Sequence, residues 1–152
     1  MEIPDIIQQF NHLLERGTEL MKNSSENELR FKPLPDKWSK KEILGHLIDS
    51  GINNLQRFTE IQFENKPYKI RKYNQNELVN ANHYNEANSD EILGFWLAIN
   101  ERIKKIIELQ DEYTLAYQIE ISEREKSDLK FLIEDYVNHM EHHLDQIVKS
   151  HN

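Results

Sequence analysis

The sequence predicts an all-α protein, and two observations carry that prediction. The 152-residue chain contains only four glycines and four prolines, which is few for a turn-rich β fold. Apolar side chains recur at intervals of three and four residues, as on one face of an α-helix, through four segments of about 20 residues. We therefore predict one domain over residues 1–152, folded as a four-helix bundle with a long crossover connection.

The ends of the four helices are marked by capping residues of different strength. The second helix has the clearest start, because Ser39 and Glu42 form a capping box directly after a connector that contains two prolines. Ser89 is a weaker capping signal for the third helix, and Ser127 is the expected cap of the fourth. The predicted helices run from Ile3 to about Ser24, from Ser39 to about Glu64, from Ser89 to about Gln110 and from Asp128 to about Ser150.

Two of the connections between these helices are long. Between Asn65 and Asn88 the helical spacing weakens while Asn, Tyr and Lys accumulate, which indicates a crossover rather than a tight hairpin. We expect one short helical turn within it, at 76–81. Between 113 and 121 the residues alternate weakly and are rich in Tyr, Thr and Ile, so a brief extended segment is expected before the last helix.

The charge and the cysteine content exclude several classes of partner and site. A formal net charge of −8 and the absence of any long basic run argue against binding to nucleic acid or to an anionic membrane surface. No apolar segment reaches the length needed to span a bilayer, and the N-terminus does not resemble a signal peptide, so we expect a cytoplasmic protein. Without cysteine, any metal must be held by His, Asp or Glu.

Three of the seven histidines lie where two helices could share a metal ion. With about 100° between successive helical residues, His143 lies about 40° from His139 on the apolar arc of the fourth helix, and His142 lies about 60° to the other side. Side chains four residues apart are neighbours, so His139 and His143 could reach one ion. His46 lies at the border of the apolar arc of the second helix, where a third ligand could come from.

The chemistry of imidazole suits such a site, but the residues alone leave a second interpretation open. Imidazole binds zinc, nickel, iron and copper, and three protein ligands leave one coordination position for water or substrate. A single histidine at the edge of a core is more often an ordinary hydrogen-bonded residue, and the His-x-x-x-His spacing also arises by chance. Metal ligation and a structural role therefore both remain open at this point.

Two runs of residues resemble a known family. The stretch from Trp38 to Asp49 contains Trp-Ser, then Glu42, then His46-Leu47, and it resembles the first signature of the DinB/YfiT-like superfamily. The stretch from Tyr136 to Ile147 contains His-x-x-His-His-x-x-Gln-Ile and is similar to the second signature of that family. The order and spacing of the two runs match the family over nearly the whole chain.

This resemblance implies a fold, a metal site and a range of activities. It implies a four-helix bundle with one long crossover and a divalent metal held by His46, His139 and His143. Members of the family include thiol-dependent transferases and isomerases that use bacillithiol, mycothiol or glutathione. The segment from Arg71 to Asn76 is similar to a Tyr-Asp-Gln stretch of the DinB-like subgroup, but Asn74 replaces the usual Asp, which leaves any carboxylate role at that position in doubt.

Further residues could support the site. Gln146 and Glu42 are candidate partners for the free N–H of a ligating imidazole, although Glu42 already has a capping role. Arg57 shares the face of His46 three turns on, and it could bind an anionic group of a substrate or cofactor or simply be a solvated helix charge.

Other candidates have weaker signals. Trp38 and Trp96 are expected to be core aromatics rather than a pair that stacks on a ligand. His83 lies on the crossover with no spacing that links it to the metal, and His142 and His151 are expected at the surface. No Ser-His-Asp set, glycine-rich phosphate loop or paired carboxylates are present, so no catalytic residue is predicted.

Three functional hypotheses follow. The first is a thiol-dependent S-transferase that uses zinc or nickel and a low-molecular-weight thiol to attack a small electrophilic substrate. The second is a metal-dependent hydrolase, and the third is a non-catalytic metal-binding or ligand-binding bundle of a stress response. A homodimer is also predicted, in which Phe95 and Trp96 on the third helix supply an outer apolar patch.

Overall fold

The computed structural model describes residues 2–149 and consists mainly of helices. The predicted end of the last helix at Ser150, and the surface position predicted for His151, lie outside the described residues. In chain order the elements are α1 (Ile3–Lys22), α2 (Glu26–Arg30), α3 (Lys40–Glu60), β1 (Tyr68–Lys69), α4 (Gln75–Asn82), a 3-10 turn (Tyr84–Glu86), α5 (Ser89–Glu108), α6 (Glu112–Leu115), β2 (Gln118–Ser122), β3 (Glu125–Asp128) and α7 (Leu129–Lys149).

The four long helices form the predicted bundle. Both α1 and α3 pack against α5 and α7, so the order around the bundle is α1, α5, α3, α7. Consecutive long helices α1 and α3 therefore lie on a diagonal, which an up-and-down bundle with short loops would not give. The all-α prediction with a long crossover is confirmed, and the short helix expected at 76–81 is present as α4.

The predicted cap of α5 and the predicted end of α3 were wrong. The cap of α5 is Asn88, whose side chain accepts a hydrogen bond from the Glu91 amide at 3.0 Å, and Ser89 is already helical. The sequence offered two adjacent capping residues, and the Asn side chain is the one that reaches the third amide. Helix α3 ends at Glu60 rather than Glu64, because the chain then tightens into turns whose amides bond carbonyls three residues back.

A small sheet joins the two long connections, and the sequence predicted only part of it. Strand β1 runs parallel to β2, with Tyr68 beside Ile119, and β3 runs antiparallel to β2, with Ser127 beside Ile119. The extended segment predicted between 113 and 121 was too long at its start, because Glu112–Leu115 forms a short helix. The crossover is thereby fixed to the chain that precedes α7.

The predicted cap of the last helix was also wrong. Ser127 belongs to β3, and the neighbouring Asp128 accepts a hydrogen bond from the Phe131 amide at 2.9 Å. Both residues are paired in β3, and the Asp128 side chain is the one that reaches the third amide of the helix, so the helix begins one residue later than a cap at Ser127 would allow.

The centre of the bundle is apolar and built around Trp96. The indole ring has no exposed surface, which confirms the prediction that Trp96 is a core residue. The same burial removes Trp96 from the predicted dimer patch, whereas its neighbour Phe95 stays 46% exposed. Within residues 2–149, no helix is both long and apolar enough to cross a membrane.

We predict opposite effects from alanine at two helical glycines. A Cβ at Gly17 of α1 would overlap the ring of Trp96, so Gly17→Ala should lower the free energy of unfolding by about 1–3 kcal/mol. Gly94 of α5 has open space where its Cβ would be, so Gly94→Ala should raise stability by about 0.5–1 kcal/mol through helix propensity alone. Urea unfolding of both variants would measure this, and equal stability of the two would contradict the packing argument.

Candidate metal centre

Three histidine side chains from two helices converge at one point of the bundle. His46 comes from α3, and His139 and His143 lie one turn apart on α7. The Nε2 atoms of His46 and His139 are 3.2 Å apart, and one ring nitrogen from each of the three residues lies within 4.8 Å of the others. The structure thus brings together the three histidines that the sequence singled out, in a group that could hold a metal ion.

A hydrogen bond orients the ring of His143 toward the other two. Nδ1 of His143 lies 2.7 Å from the side-chain oxygen of Gln146, so Nδ1 carries the proton and Nε2 is left to face the group. Gln146 was one of the two partners suggested by the sequence. The other, Glu42, instead accepts hydrogen bonds from the Ser39 amide and from Lys32, so the structure gives it the capping role.

Burial keeps the three imidazoles neutral. Desolvation, followed by the neighbouring histidines, lowers the pKa of His46 to about 3 and that of His139 to about 4. The pKa of His143 is also lowered by desolvation, and its contact with Gln146 opposes that shift. Because a metal binds the neutral imidazole, all three rings are in the ligating form at neutral pH. A cluster of three nitrogen donors without a carboxylate fits a borderline ion such as zinc or nickel.

Trp38 covers the cluster from one side. Its ring lies 4.9 Å from the His46 ring and 6.5 Å from the His143 ring, measured between centroids. The side chain is half-buried and packs at the edge of the core. The prediction that Trp38 is a core aromatic is therefore only partly right. The indole packs at the edge of the core and also shields the histidines from water.

A buried pair behind His46 was missed by the sequence analysis. A Cβ at Gly45 would overlap the ring of Tyr84, so this glycine lets the crossover approach α3 beside His46. The Tyr84 hydroxyl donates to Oδ1 of Asp49 at 2.6 Å, and Asn82 donates to the same oxygen at 3.3 Å. Burial raises the pKa of the Asp49 carboxyl. The signal for this pair was a glycine directly before the histidine and an acid one turn after it.

Arg57 lines the same small cavity as His139 of the cluster. The cavity has a volume of about 80 Å³ and reaches His139. A second and larger cleft of about 500 Å³ lies on the outer side of Arg57, against the crossover. The residues lining the small cavity are Ser50, Asn54, Arg57, Tyr73, Asp135, Tyr136 and His139.

Three other residues named in the sequence analysis lie outside the cluster. His142 is exposed, and although its ring is 5.1 Å from that of His143, it does not belong to the group of nearby ligand atoms. His83 is exposed at the end of α4, in the left-handed conformation with φ of 51°. Asn74 caps α4 by accepting a hydrogen bond from the Glu77 amide at 3.1 Å, a role that an amide oxygen serves as well as a carboxylate.

Two solved structures with the same fold have names that state an enzymatic activity. YfiT from Bacillus subtilis, described as a probable metal-dependent hydrolase with an unusual four-helix bundle topology, matches with a TM-score of 0.86 at 18% identity, over 97% of this chain and 85% of its own. The mycothiol-dependent maleylpyruvate isomerase matches with a TM-score of 0.73 at 11% identity, over 97% of this chain. This chain spans 61% of that isomerase.

A third structure and a family model complete the comparison. A conserved protein from Enterococcus faecalis matches with a TM-score of 0.70 at 15% identity, over 97% of this chain and 94% of its own. At such identities the matches show the shared fold. A comparison with curated proteins gave no significant match. The model of the DinB superfamily matches residues 9–147, and the chain therefore belongs to that superfamily.

Proposed function

We propose that the protein is a metal-dependent enzyme in which His46, His139 and His143 hold one divalent ion, zinc or nickel. The observation that carries this proposal is the group of three ring nitrogens within 4.8 Å, next to a cavity that contains Arg57. We further propose that the reaction is the transfer of a low-molecular-weight thiol to a small electrophilic substrate. No catalytic residue is assigned, and the three histidines are proposed as metal ligands only.

The residues around the cluster have separate tasks in this proposal. A divalent ion held there would act as a Lewis acid that lowers the pKa of a thiol or a water molecule. Gln146 fixes the ring of His143 through its Nδ1, and Trp38 keeps water from one side of His46. Arg57 offers a positive charge at the cavity for an anionic group of the substrate or of the thiol cofactor.

A thiol supplies what this chain lacks. With no cysteine the protein has no thiolate nucleophile of its own. The glutamate of the zinc peptidases, which directly follows the first histidine, has no counterpart here, because Met140 follows His139 and is buried. Glu141 points away, since its carboxylate accepts a hydrogen bond from Gln9 of α1 at 2.9 Å. The mycothiol-dependent maleylpyruvate isomerase, which has the same fold, supports the proposal of a thiol cofactor.

A hydrolase is the second candidate, and one contact favours it. Asp135 lies one turn before His139 and lines the same cavity, so its carboxylate could serve as the base for a water molecule. YfiT, which has the same fold, is described as a probable metal-dependent hydrolase. A bundle that binds the ion without catalysis remains the third hypothesis. Ester or amide hydrolysis that depends on metal and is lost in Asp135→Asn would favour the hydrolase.

We predict that alanine at His46, His139 or His143 will each remove the bound ion, whereas His142→Ala will leave it in place. Each of the first three substitutions deletes one of only three donors, while the His142 side chain is exposed outside the cluster. Elemental analysis of untagged protein and zinc or nickel titration would measure binding. An equal loss in His142→Ala would show that the ligand set is wrongly assigned.

A second prediction concerns the thiol. Protein loaded with cobalt would be titrated with bacillithiol, glutathione and coenzyme A while its visible absorption is recorded. At least one of these thiols is expected to change the spectrum, because a thiolate is a stronger ligand than water for such an ion. His139→Ala, which should not hold cobalt, is the control for binding elsewhere. If no thiol changes the spectrum at millimolar concentration while hydrolysis depends on the metal, the transferase proposal fails.

The homodimer also stays a prediction, with a smaller patch than expected. Phe95 and Ile52 are 46% and 44% exposed, and both line a shallow apolar groove between α3 and α5. Sedimentation at micromolar concentration should give the mass of a dimer, and Phe95→Glu should give that of a monomer. A monomer in the unmodified protein would end this prediction.

The single-domain organisation and the cytoplasmic location also stay predictions. The same holds for the absence of nucleic-acid and membrane partners.

A further inference from the structure

The small cavity beside His139 has the composition of an anion site. Its volume of about 80 Å³ leaves room for a small ligand group. A carboxylate group contains only three heavy atoms and is small enough for such a space. Both Arg57 and His139 of the histidine cluster line the cavity.

Arg57 is a half-buried cation whose charge lacks a close partner. Its Nη2 donates to the backbone carbonyl of Arg71 at 2.7 Å, and its Nη1 donates to Oδ1 of Asn54 at 3.4 Å. Both acceptors are neutral. No carboxylate among residues 2–149 forms an ion pair with this guanidinium, and desolvation lowers its pKa. A guanidinium has five N–H groups, so donors remain for a ligand.

Tyr73 and Ser50, which both carry hydroxyl groups, also line the cavity. The ring of Tyr73 lies under the guanidinium of Arg57, at 5.5 Å from its central carbon to the ring centroid. Within the described part of the chain, the Tyr73 hydroxyl has no hydrogen-bond partner, and Ser50 Oγ has only a long contact of 3.4 Å with the Asn54 amide. Arg57, Tyr73 and Ser50 therefore bring charged and neutral donors with spare hydrogen-bonding capacity to one space, and such donors bind a carboxylate.

Asp135 is the one acidic residue that lines the cavity. It is exposed and forms no ion pair with Arg57, so water screens its charge more than that of the half-buried guanidinium. The Coulomb interaction between Asp135 and Arg57 raises the pKa of Arg57, but desolvation lowers it by more. A further negative charge beside the guanidinium would therefore be stabilising.

We propose that this cavity binds a carboxylate of the substrate, so that the enzyme acts on small carboxylic acids whose reactive carbon lies at the histidine cluster. Arg57 forms the ion pair, and the hydroxyls of Tyr73 and Ser50 donate to the carboxylate oxygens. The assignment of the reactive end rests on the proposed function, but carboxylate binding itself needs only the residues of the cavity.

Metal-free protein provides the test, because no ion is then present to bind the carboxylate. Acetate and formate would be titrated by NMR, with the backbone amide signals of residues 50–57 and 73 as the readout and acetamide as the neutral analogue. Saturable shifts are expected for the two carboxylates and none for acetamide. Arg57→Gln should weaken binding tenfold or more and Tyr73→Phe several-fold, whereas Arg102→Gln, which removes an exposed arginine of α5, should change nothing.

Several outcomes would overturn the carboxylate site. They are equal binding of acetamide, shifts that do not saturate or that lie elsewhere, and unchanged affinity in Arg57→Gln. If Arg57→Gln fails to fold because the contact with Arg71 is lost, unchanged affinity in Tyr73→Phe would still overturn it. Zinc titration of the same samples tests the proposed metal site independently, so failure of carboxylate binding can be told from failure of metal binding.

Discussion

The packing of α3 against α7 is the contact on which the site depends. It places Nε2 of His46 at 3.2 Å from Nε2 of His139, with His143 one turn further along α7. A polar ring that is fully removed from water, as His46 is, tolerates only the neutral form unless a negative charge lies nearby. The helix contact therefore fixes both the positions of the three imidazoles and their protonation.

The long crossover forms the remaining wall of the site that α3 and α7 build. Tyr84 packs against Gly45 and binds Asp49, so the second half of the crossover is held beside His46. The first half is fixed where Arg57 donates to the carbonyl of Arg71. One segment is thus held to α3 at two points, and the cavity is bounded by residues from α3, α7 and the crossover.

The parts of the structure that could be predicted are those where apolar residues recur at helical spacing or where a sequence motif is present. Helical spacing gave four helices, and the i, i+4 spacing of His139 and His143 placed both on the inward arc, with His142 outside it. The caps at Ser89 and Ser127 were misplaced, because adjacent Asn and Asp residues carry nearly equal capping strength and the strand pairing of Ser127 is a long-range contact. The cavity at Arg57 could not be derived, since it depends on how Tyr73 from a segment without periodicity returns to α3.

The cluster also opposes the stability of the fold that carries it. Nδ1 of His46 is buried without a hydrogen-bond partner in the described residues, as is Oδ2 of Asp49, and each such group costs about 1–3 kcal/mol. The Nε2 atoms of His46 and His139 are 3.2 Å apart and can share one proton in a hydrogen bond, but that bond leaves Nδ1 of His46 unpaired. An apolar replacement would remove these costs, so packing alone gives no reason for three histidines here. A bound cation would offset these costs, because the facing nitrogens would then serve as a preorganised set of ligands whose binding stabilises the folded state.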